Sequence, residues 1–493
     1  MRRAGILMPI FSLPSPHGVG TMGAAAREFV DFLEQAGQSC WQILPVGPTG
    51  YGDSPYQSYS SFAGNPYFID LDELAAEGRL KQEEYQGLDW GDDPRAVDYG
   101  KLEQNRFGVL RLACKRLLEE GREDYKTFCR QEKDWLEDYA LFMALKGKNK
   151  GAAWVEWPEG ERLRRPRTLA AARKELAEEL DFWRGVQYLF FRQWGALKKY
   201  ANDKGISIIG DVPIYVSGDG ADVWSDPTQF QLDKAGRPTA VAGCPPDDFA
   251  EDGQLWGNPL VDWEKMEADG YKWWLRRIAF QFRICDTLRI DHFRGFEAYF
   301  SIPYGEKTAK NGSWRPGPGL KFFEAVKREL GEKDIIAEDL GFLTQGVYDL
   351  LAATGYPGMK VLEFAFDDIG GNNGYLPHNY PKNCVVYTGT HDNDTLRGFI
   401  ESAPVYRLDF ARRYLAPQDG ETLFDAFLRA AWSSVARLAI IPMQDVLNLP
   451  TAARMNTPST VNDRNWRWRM PEDVITQELS DKLLTLNKAH SRT

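Results

Sequence analysis

The chain has 493 residues, a net charge of −11, a hydrophobic fraction of 43% and a charged fraction of 27%. These values are typical of a globular protein and exclude wholesale disorder, collagen and coiled coil. The acidic balance argues against a nucleic-acid partner, because phosphates need clustered lysine and arginine, and no apolar run approaches the roughly 18 residues of a membrane span.

The six cysteines are scattered and contain no Cys-x-x-Cys pair. Zinc and redox motifs are therefore unsupported, and reduced thiols are the simplest interpretation. The N-terminal apolar run is short and is interrupted by Pro9, unlike a signal peptide. Together these features predict a cytoplasmic protein.

The N-terminal segment has the pattern of a β-α-β unit. Apolar residues over Ile6–Phe11 predict a first strand, and a loop rich in Gly and Pro follows. A helical pattern then ends at Gly37, and Cys40–Val46 predicts a second strand. This order of elements favours a parallel sheet.

Two segments differ in amino-acid composition from the rest of the chain. Charged residues and helical runs dominate from about Asp72 to Glu178, which predicts a mainly helical insertion at 72–178. A second insertion, 217–263, is rich in Gly, Pro and aromatic residues and predicts a loop over the active site. Between them lies an amphipathic helix with an apolar stripe of Val186, Phe190, Trp194, Leu197 and Ala201.

Six further short apolar runs alternate with helical patterns: Ile206–Asp211, Thr287–Asp291, Asp334–Asp339, Met359–Phe366, Cys384–Tyr387 and Leu438–Pro442. Eight strands alternating with helices predict a (β/α)₈ TIM barrel with helical and loop insertions. A doubly wound open sheet is the alternative, but the first β-α turn lacks the Gly-x-Gly-x-x-Gly motif.

Carboxylates lie at or just past the carboxyl ends of four predicted strands. They are Asp211, Asp291, Glu338 and Asp392. In a barrel these ends meet on one face, which carries the active site. A single carboxylate there often caps a helix, but four together favour a functional acidic cluster.

The spacing of Arg289 and Asp291 places both side chains on one side of their strand. A neighbouring guanidinium lowers the pKa of a carboxylate, and an ionised carboxylate is what a nucleophile in retaining glycoside chemistry requires. The same spacing is equally compatible with a buried ion pair in the barrel floor.

Glu338 is followed directly by Asp339. A carboxyl close to other carboxylates has a raised pKa and holds a proton near neutral pH, as a general acid must. The alternative is that Glu338 faces outward and Asp339 caps a helix.

A metal site is not predicted. His391 and Asp392 form a possible ligand pair, but the chain has only five histidines and no His-x-x-x-His spacing. A Ser-His-Asp triad is also disfavoured, because no Gly-x-Ser-x-Gly elbow precedes a helix.

Taken in order, several motifs make the chain resemble the 4-α-glucanotransferases, or amylomaltases, of the α-amylase superfamily over nearly its whole length. The motifs are Ser12-Leu13-Pro14-Ser15, Ser54-Pro55-Tyr56-Gln57-Ser58, Gly210-Asp211-Val212-Pro213, Trp256-Gly257-Asn258-Pro259, Arg289-Ile290-Asp291-His292-Phe293-Arg294, Ala337-Glu338-Asp339-Leu340-Gly341 and Thr390-His391-Asp392-Asn393-Asp394.

The resemblance implies that Asp291 is the nucleophile, Glu338 the general acid/base and Asp392 the third carboxylate that favours the transition state. The substrate contacts it implies are Tyr59, Asp211, Trp256, Arg289, His391 and Asn465. Asp248 stands where relatives often carry an aromatic residue, which leaves the contact of this lid loop with glucan open.

The resemblance further implies retaining transfer of α-1,4-glucan segments from a donor to the 4-hydroxyl of an acceptor glucan or glucose, without metal or cofactor. The partners are then α-1,4-glucans and malto-oligosaccharides. The tail after Pro442 is short and helical or loop-like, which predicts no C-terminal β-sandwich domain. Retention predicts that the carboxyl groups of Asp291 and Glu338 lie about 5–5.5 Å apart.

Two alternatives remain from the sequence. An intracellular α-glucan hydrolase shares the same acids and differs only in how readily water takes the glycosyl group. An inactive, amylase-like glucan-binding protein is expected to lack at least one of Asp291, Glu338 and Asp392, yet all three are present.

Overall fold

The computed structural model describes residues 2–246 and 251–492. Its strands are β1 (Arg3–Leu7), β2 (Cys40–Gln42), β3 (Ser207–Pro213), β4 (Ala240–Cys244), β5 (Gln254–Pro259), β6 (Thr287–Asp291), β7 (Ala298–Pro303), β8 (Ser313–Pro316), β9 (Ile335–Ala337), β10 (Gly358–Val361), β11 (Cys384–Tyr387) and β12 (Leu438–Pro442).

Eight of these strands form a parallel sheet in the order β10-β11-β12-β1-β2-β3-β6-β9. The sheet curls until its two edge strands meet. There the Ala337 N–H donates to the Pro357 carbonyl (3.0 Å), and the Met359 N–H donates to Asp339 Oδ1 (2.6 Å). These two bonds bring β9 to β10, and the predicted (β/α)₈ barrel is confirmed.

Helices surround the barrel and fill the long connections: α1 (Ala24–Gln35), α2 (Leu71–Ala76), α3 (Tyr99–Glu120), α4 (Glu123–Gln131), α5 (Lys133–Lys148), α6 (Glu159–Arg162), α7 (Pro166–Glu175), α8 (Ala177–Asp203), α9 (Ala221–Ser225), α10 (Trp263–Ala268), α11 (Lys272–Ile284), α12 (Leu320–Leu330), α13 (Gln345–Thr354), α14 (Leu396–Ser402), α15 (Val405–Leu415), α16 (Leu423–Ser433), α17 (Met443–Val446) and α18 (Gln477–Ala489). In residues 443–492 the structure has helices and no strand. Among the described helices, none combines the length and apolar character that crossing a bilayer requires.

The strands separate two apolar layers, because successive side chains of a strand point to opposite faces. The barrel interior is filled by Leu7, Cys40, Ile209, Ile336, Met359, Val385, Tyr387, Leu438 and Ile440. The predicted apolar stripe of α8 is buried in the outer layer.

Several strand ends differ from their predicted positions. The second strand, predicted over Cys40–Val46, ends at Gln42, and the strand predicted over Asp334–Asp339 ends at Ala337. The strand predicted to end at Asp211 continues to Pro213. The first strand ends at Leu7, and Pro9 then starts a 3₁₀ turn over Ile10–Ser12, because proline has no N–H to give to a ladder. The predicted strand over residues 359–366 ends at Val361, and the remaining apolar residues form a second 3₁₀ turn.

A second, antiparallel sheet has the order β5-β4-β7-β8. Two of its strands, β4 and β5, lie inside the segment 217–263 that the sequence predicted to be a loop. Strand β4 pairs with β5 on one side and with β7 on the other, and β7 comes after β6 in the chain, so that pairing leaves no local signal. This sheet carries Trp256 towards the carboxyl end of the barrel.

Candidate active site

The four predicted carboxylates lie at the same end of the barrel. Asp211 is in β3, Asp291 ends β6, Glu338 directly follows β9, and Asp392 follows β11. The register of β3 against β6 places Asp211 opposite Arg289. Because all these strands are parallel, their carboxyl ends define one candidate site.

Arg289 joins two of the carboxylates. Its Nη1 lies 2.8 and 2.6 Å from the two carboxylate oxygens of Asp211, and its Nη2 lies 3.0 Å from Asp291 Oδ1. The arginine side chain is 4% exposed and that of Asp211 is fully buried. The two acids raise the pKa of Arg289, which therefore supplies a permanent positive charge at the base of the site.

The pKa of Asp291 is raised to about 6, mainly because burial disfavours the charged form. The sequence predicted a lowered pKa from Arg289 alone. The guanidinium does oppose the shift, but desolvation outweighs it and Asp211 adds to it. At pH 7 Asp291 is still mostly ionised.

Glu338 accepts two backbone hydrogen bonds, from the N–H of His292 to Oε2 (2.7 Å) and from the N–H of Leu340 to Oε1 (2.7 Å). Burial, and then the charge of Asp291, raise its pKa to about 8. At pH 7 Glu338 mostly keeps its proton while Asp291 has lost its own. Two carboxyls whose pKa values are separated in this way suit an acid and a nucleophile.

Tyr56 is a site residue that the Ser54–Ser58 motif contains but does not single out. Its hydroxyl donates to Asp211 Oδ2 (2.8 Å) and lies 2.9 Å from His391 Nε2. Because the hydroxyl has only one hydrogen, Nε2 donates to it. The two rings stack with centroids 5.3 Å apart. The signal that could have found Tyr56 is its place in Ser54–Ser58.

Asp392 is held by residues from a later part of the chain that the sequence did not single out. Asn456 Nδ2 donates to Asp392 Oδ1 (2.6 Å), and Arg454 donates to the backbone carbonyl of Asp392 (2.6 Å). Asp392 Oδ2 lies 3.5 Å from His391 Nε2, and its side chain is 46% exposed. The carboxylate is therefore both oriented and open to a ligand.

A buried clamp fixes the loop that carries His391 and Asp392. Asp445, just after β12, accepts from the Thr388 hydroxyl (2.5 Å) and from the backbone N–H of Leu396 (2.7 Å). One carboxyl thus holds both ends of the segment 388–396. Burial raises the pKa of Asp445 to about 7.

The side chain of Asp339 does not point towards the cluster of Asp291 and Glu338 but towards the closure of the barrel. Its carboxylate accepts the Met359 N–H that closes the barrel. Asp339 therefore caps no helix, and its role is to hold β9 against β10.

The structure separates the two predicted aromatic platforms. Trp256 packs edge-on against His292, with ring centroids 4.9 Å apart, directly beside Asp291. Tyr59 lies against α5 instead, where Lys146 Nζ is 5.0 Å from the centroid of its ring.

The amide of Asn465 is used inside its own loop, where it accepts from the Thr457 N–H (3.0 Å) and donates to the Thr460 carbonyl (3.0 Å). The next residue, Trp466, lies 5.9 Å from the His391 ring, so this loop borders the site. Asp248 lies outside the described residues.

In residues 2–246 and 251–492 the structure has no group of three or more His, Cys, Asp or Glu side chains that could hold a metal ion. What the site offers is charge and proton transfer: an ionised carboxylate, a protonated carboxyl and a fixed guanidinium. A (β/α)₈ barrel with such a pair at its carboxyl end is the class of site that processes glycosidic bonds.

Comparison with known proteins agrees with this class. Residues 8–476 match the family model described as 4-alpha-glucanotransferase. The 4-alpha-glucanotransferase of Clostridium butyricum is 48% identical over 98% of this chain and 100% of its own length. That of Streptococcus pneumoniae is 49% identical over 100% of this chain and 97% of its own.

The solved structure of an amylomaltase from Streptococcus agalactiae in complex with acarbose superimposes with a TM-score of 0.97 at 43% identity, covering 100% of both chains. The chain therefore belongs to the 4-α-glucanotransferase family.

Proposed function

We propose that the protein is a 4-α-glucanotransferase that moves α-1,4-glucan segments from a donor to the 4-hydroxyl of an acceptor glucan or glucose. The full-length match to enzymes of that name supports the activity. The observation that carries the chemistry is the pair Asp291 and Glu338, whose pKa values of about 6 and about 8 place one negative charge and one proton in the same site at pH 7.

The proposed reaction is a retaining double displacement. Asp291 attacks the anomeric carbon while Glu338 gives its proton to the leaving oxygen. The freed glucan departs and leaves a glycosyl ester on Asp291. Glu338, now a base, removes the proton from an acceptor 4-hydroxyl, whose oxygen takes the glycosyl group and releases Asp291.

The other charged groups act through orientation. Arg289 holds Asp291 in its ionised form and ties it to Asp211. Asp392 is the carboxylate that we assign to sugar hydroxyls, because it is both oriented and half exposed. His391 lies between Asp392 and Tyr56 and fixes their positions.

The remaining contacts of the substrate also belong to this proposal. We place Trp256 on the acceptor-proximal side, since it packs on the residue whose N–H binds Glu338. We expect Asn465 to act by holding its loop, and Tyr59 to contact glucan only beyond the reacting sugars. The ligands are α-1,4-glucans and malto-oligosaccharides.

The chain is proposed to be one catalytic barrel with a mainly helical insertion at 72–178 and an active-site insertion at 217–263, the latter partly a sheet. A cytoplasmic location is proposed from the cysteines Cys40, Cys114, Cys129, Cys285 and Cys384, which carry free thiols.

Incubation with pure maltotriose tests the activity. Transfer gives glucose and longer malto-oligosaccharides while the total of reducing ends stays constant. Rising reducing ends with only glucose and maltose would make the protein a hydrolase and contradict the proposal. Asp291→Asn is the matched control and should abolish both reactions.

A further inference from the structure

Two exposed aromatic side chains lie next to the site and have no part in the mechanism above. Phe342 is 82% exposed and Trp314 is 39% exposed. A single exposed aromatic ring is unremarkable, but neighbouring ones leave an apolar surface in water and mark binding sites.

One buried arginine holds both residues. The guanidinium carbon of Arg294 lies 3.8 Å from the centroid of the Trp314 ring. Its Nη1 donates to the backbone carbonyl of Phe342 (3.0 Å). The arginine side chain is 8% exposed. Strand β8 and the loop after Glu338 are thus held by the same guanidinium, which keeps the backbone of Phe342 close to the Trp314 ring.

The loop that carries Phe342 is anchored along its length. The Leu340 N–H donates to Glu338 Oε1 (2.7 Å), and the Thr344 hydroxyl donates to Glu297 Oε2 (3.5 Å). Together with Arg294 these bonds fix the backbone on both sides of Phe342. A ring presented on a fixed backbone loses little entropy when it binds a ligand.

The position of this pair relative to the acids identifies its ligand. Arg294 lies three residues after Asp291, and Phe342 lies four residues after Glu338 in the chain. In the proposed reaction Glu338 first protonates the oxygen of the departing glucan and then takes the proton from the 4-hydroxyl of the acceptor, which occupies the same side of the reacting bond. A surface built on the Glu338 loop therefore lies on the acceptor side of the reacting bond.

We propose that Trp314 and Phe342 form a distal platform for the acceptor, on which glucose units beyond the reacting one stack. Aromatic rings suit this ligand because one face of a pyranose presents C–H groups, and a glucan carries no charge that would need a counter-ion. The platform rests on the proposed function, since it assigns a chain-length preference to the same site.

The test compares acceptors of different length. Isotope-labelled glucose and maltohexaose are used as acceptors with α-maltosyl fluoride as donor, and elongated labelled product is measured. Phe342→Ala and Trp314→Ala should each raise the KM for maltohexaose roughly 5-fold, from about 40 Å² of lost apolar contact. The KM for glucose and both kcat values should not change, and Trp314→Phe should restore most of the loss.

Phe282→Ala is the matched control. Phe282 also has a cation over its ring, Lys333 Nζ at 5.2 Å, but it lies near the end of α11, at the opposite end of the barrel. It should leave both KM values unchanged. A similar loss with this control, or an equal change for both acceptors, would overturn the platform.

Binding separates failure of the platform from failure of the proposed function. Maltoheptaose is titrated calorimetrically into Glu338→Gln and into the double variant with Phe342→Ala. A roughly 5-fold weaker Kd in the double variant supports the platform even if the wild type proves to be a hydrolase. An unchanged Kd refutes it. Phe342→Ala removes no buried contact, so this test stands even if Trp314→Ala fails to fold.

Discussion

The pH dependence of transfer is the sharpest test of the carboxyl pair. The reactive form needs Asp291 ionised and Glu338 protonated, and their pKa values are about 6 and about 8. Acidification through pH 6 protonates the nucleophile, and a rise through pH 8 removes the proton of the acid. About 80% of molecules hold the reactive form at pH 7, and about ten-fold fewer hold it at pH 5 or pH 9.

The assay is initial transfer from maltotriose between pH 4 and pH 10, analysed as kcat/KM, which reports the free enzyme. The two limbs belong to the coupled pair rather than to single residues. Circular dichroism at each pH separates titration from unfolding. An acid limb near pH 4 with full activity at pH 9.5 would refute the reasoning, because it would show two carboxyls with ordinary pKa values.

The variant Glu338→Gln tests which group produces the alkaline limb of the pH profile. With α-maltosyl fluoride, whose leaving group needs no proton, this variant should still release fluoride in a first turnover. The pH profile of the rate of fluoride release should keep the acid limb that Asp291 produces and should lack the limb near pH 8. An alkaline limb that persists in the variant would assign it to another group.

Three further outcomes are expected. Tyr56→Phe keeps the stacked ring but loses both hydroxyl bonds, so kcat/KM should fall by about 10- to 100-fold, or about 1.5–3 kcal/mol, while Tyr59→Phe should not lower it. Asn456→Ala frees Asp392 and should lower kcat about 10-fold with an unchanged Tm. Asp445→Ala opens the clamp and should destabilise the fold by about 2–4 kcal/mol in urea unfolding. Asp445→Asn should cost less, because its oxygen still accepts from the Leu396 N–H and its amide NH₂ donates to the Thr388 hydroxyl oxygen, which reverses that bond.

The Asp445 variants should also change how the free energy of unfolding depends on pH. The pKa of Asp445 is raised in the folded state to about 7, against about 3.9 in an unfolded chain. Between these values the unfolded chain has released its proton and the folded one has not, so this group lowers the free energy of unfolding as pH rises from about 4 to about 7. Asp445→Asn should remove that slope. An unchanged slope in Asp445→Asn, or a free energy of unfolding in Asp445→Ala equal to that of the wild type, would contradict the clamp.

The barrel was predictable because each of its strands is a short apolar run followed by a helical pattern. The main acids were equally visible, since Asp211, Asp291 and Glu338 end or follow such runs. Strands β4 and β5 were not visible, because their sheet depends on the pairing of β4 with β7, which β6 separates from it in the chain. Local sequence carries no record of that partner.

Side chains that contact the site from distant positions in the sequence were missed for the same reason. Asn456 reaches Asp392 from 64 residues away, and Asp445 holds Thr388 from 57 residues away. Tyr56 and Tyr59 lie in one aromatic loop, and composition gives no ground to choose between them. The choice depends on the turn that brings Thr49 to Ser58, which directs Tyr56 towards Asp211 and leaves Tyr59 against α5.

The assignment of acid and nucleophile follows from the placement of a single guanidinium. Both carboxyls are desolvated, so burial raises both pKa values. Arg289 Nη2 lies 3.0 Å from Asp291, whereas the oxygens of Glu338 accept hydrogen bonds from the backbone N–H groups of His292 and Leu340. The direct ion pair keeps Asp291 the more acidic of the two, and its negative charge then raises the pKa of Glu338 further. The same arginine placed beside Glu338 would instead lower the pKa of that carboxyl and leave Asp291 without its ion pair.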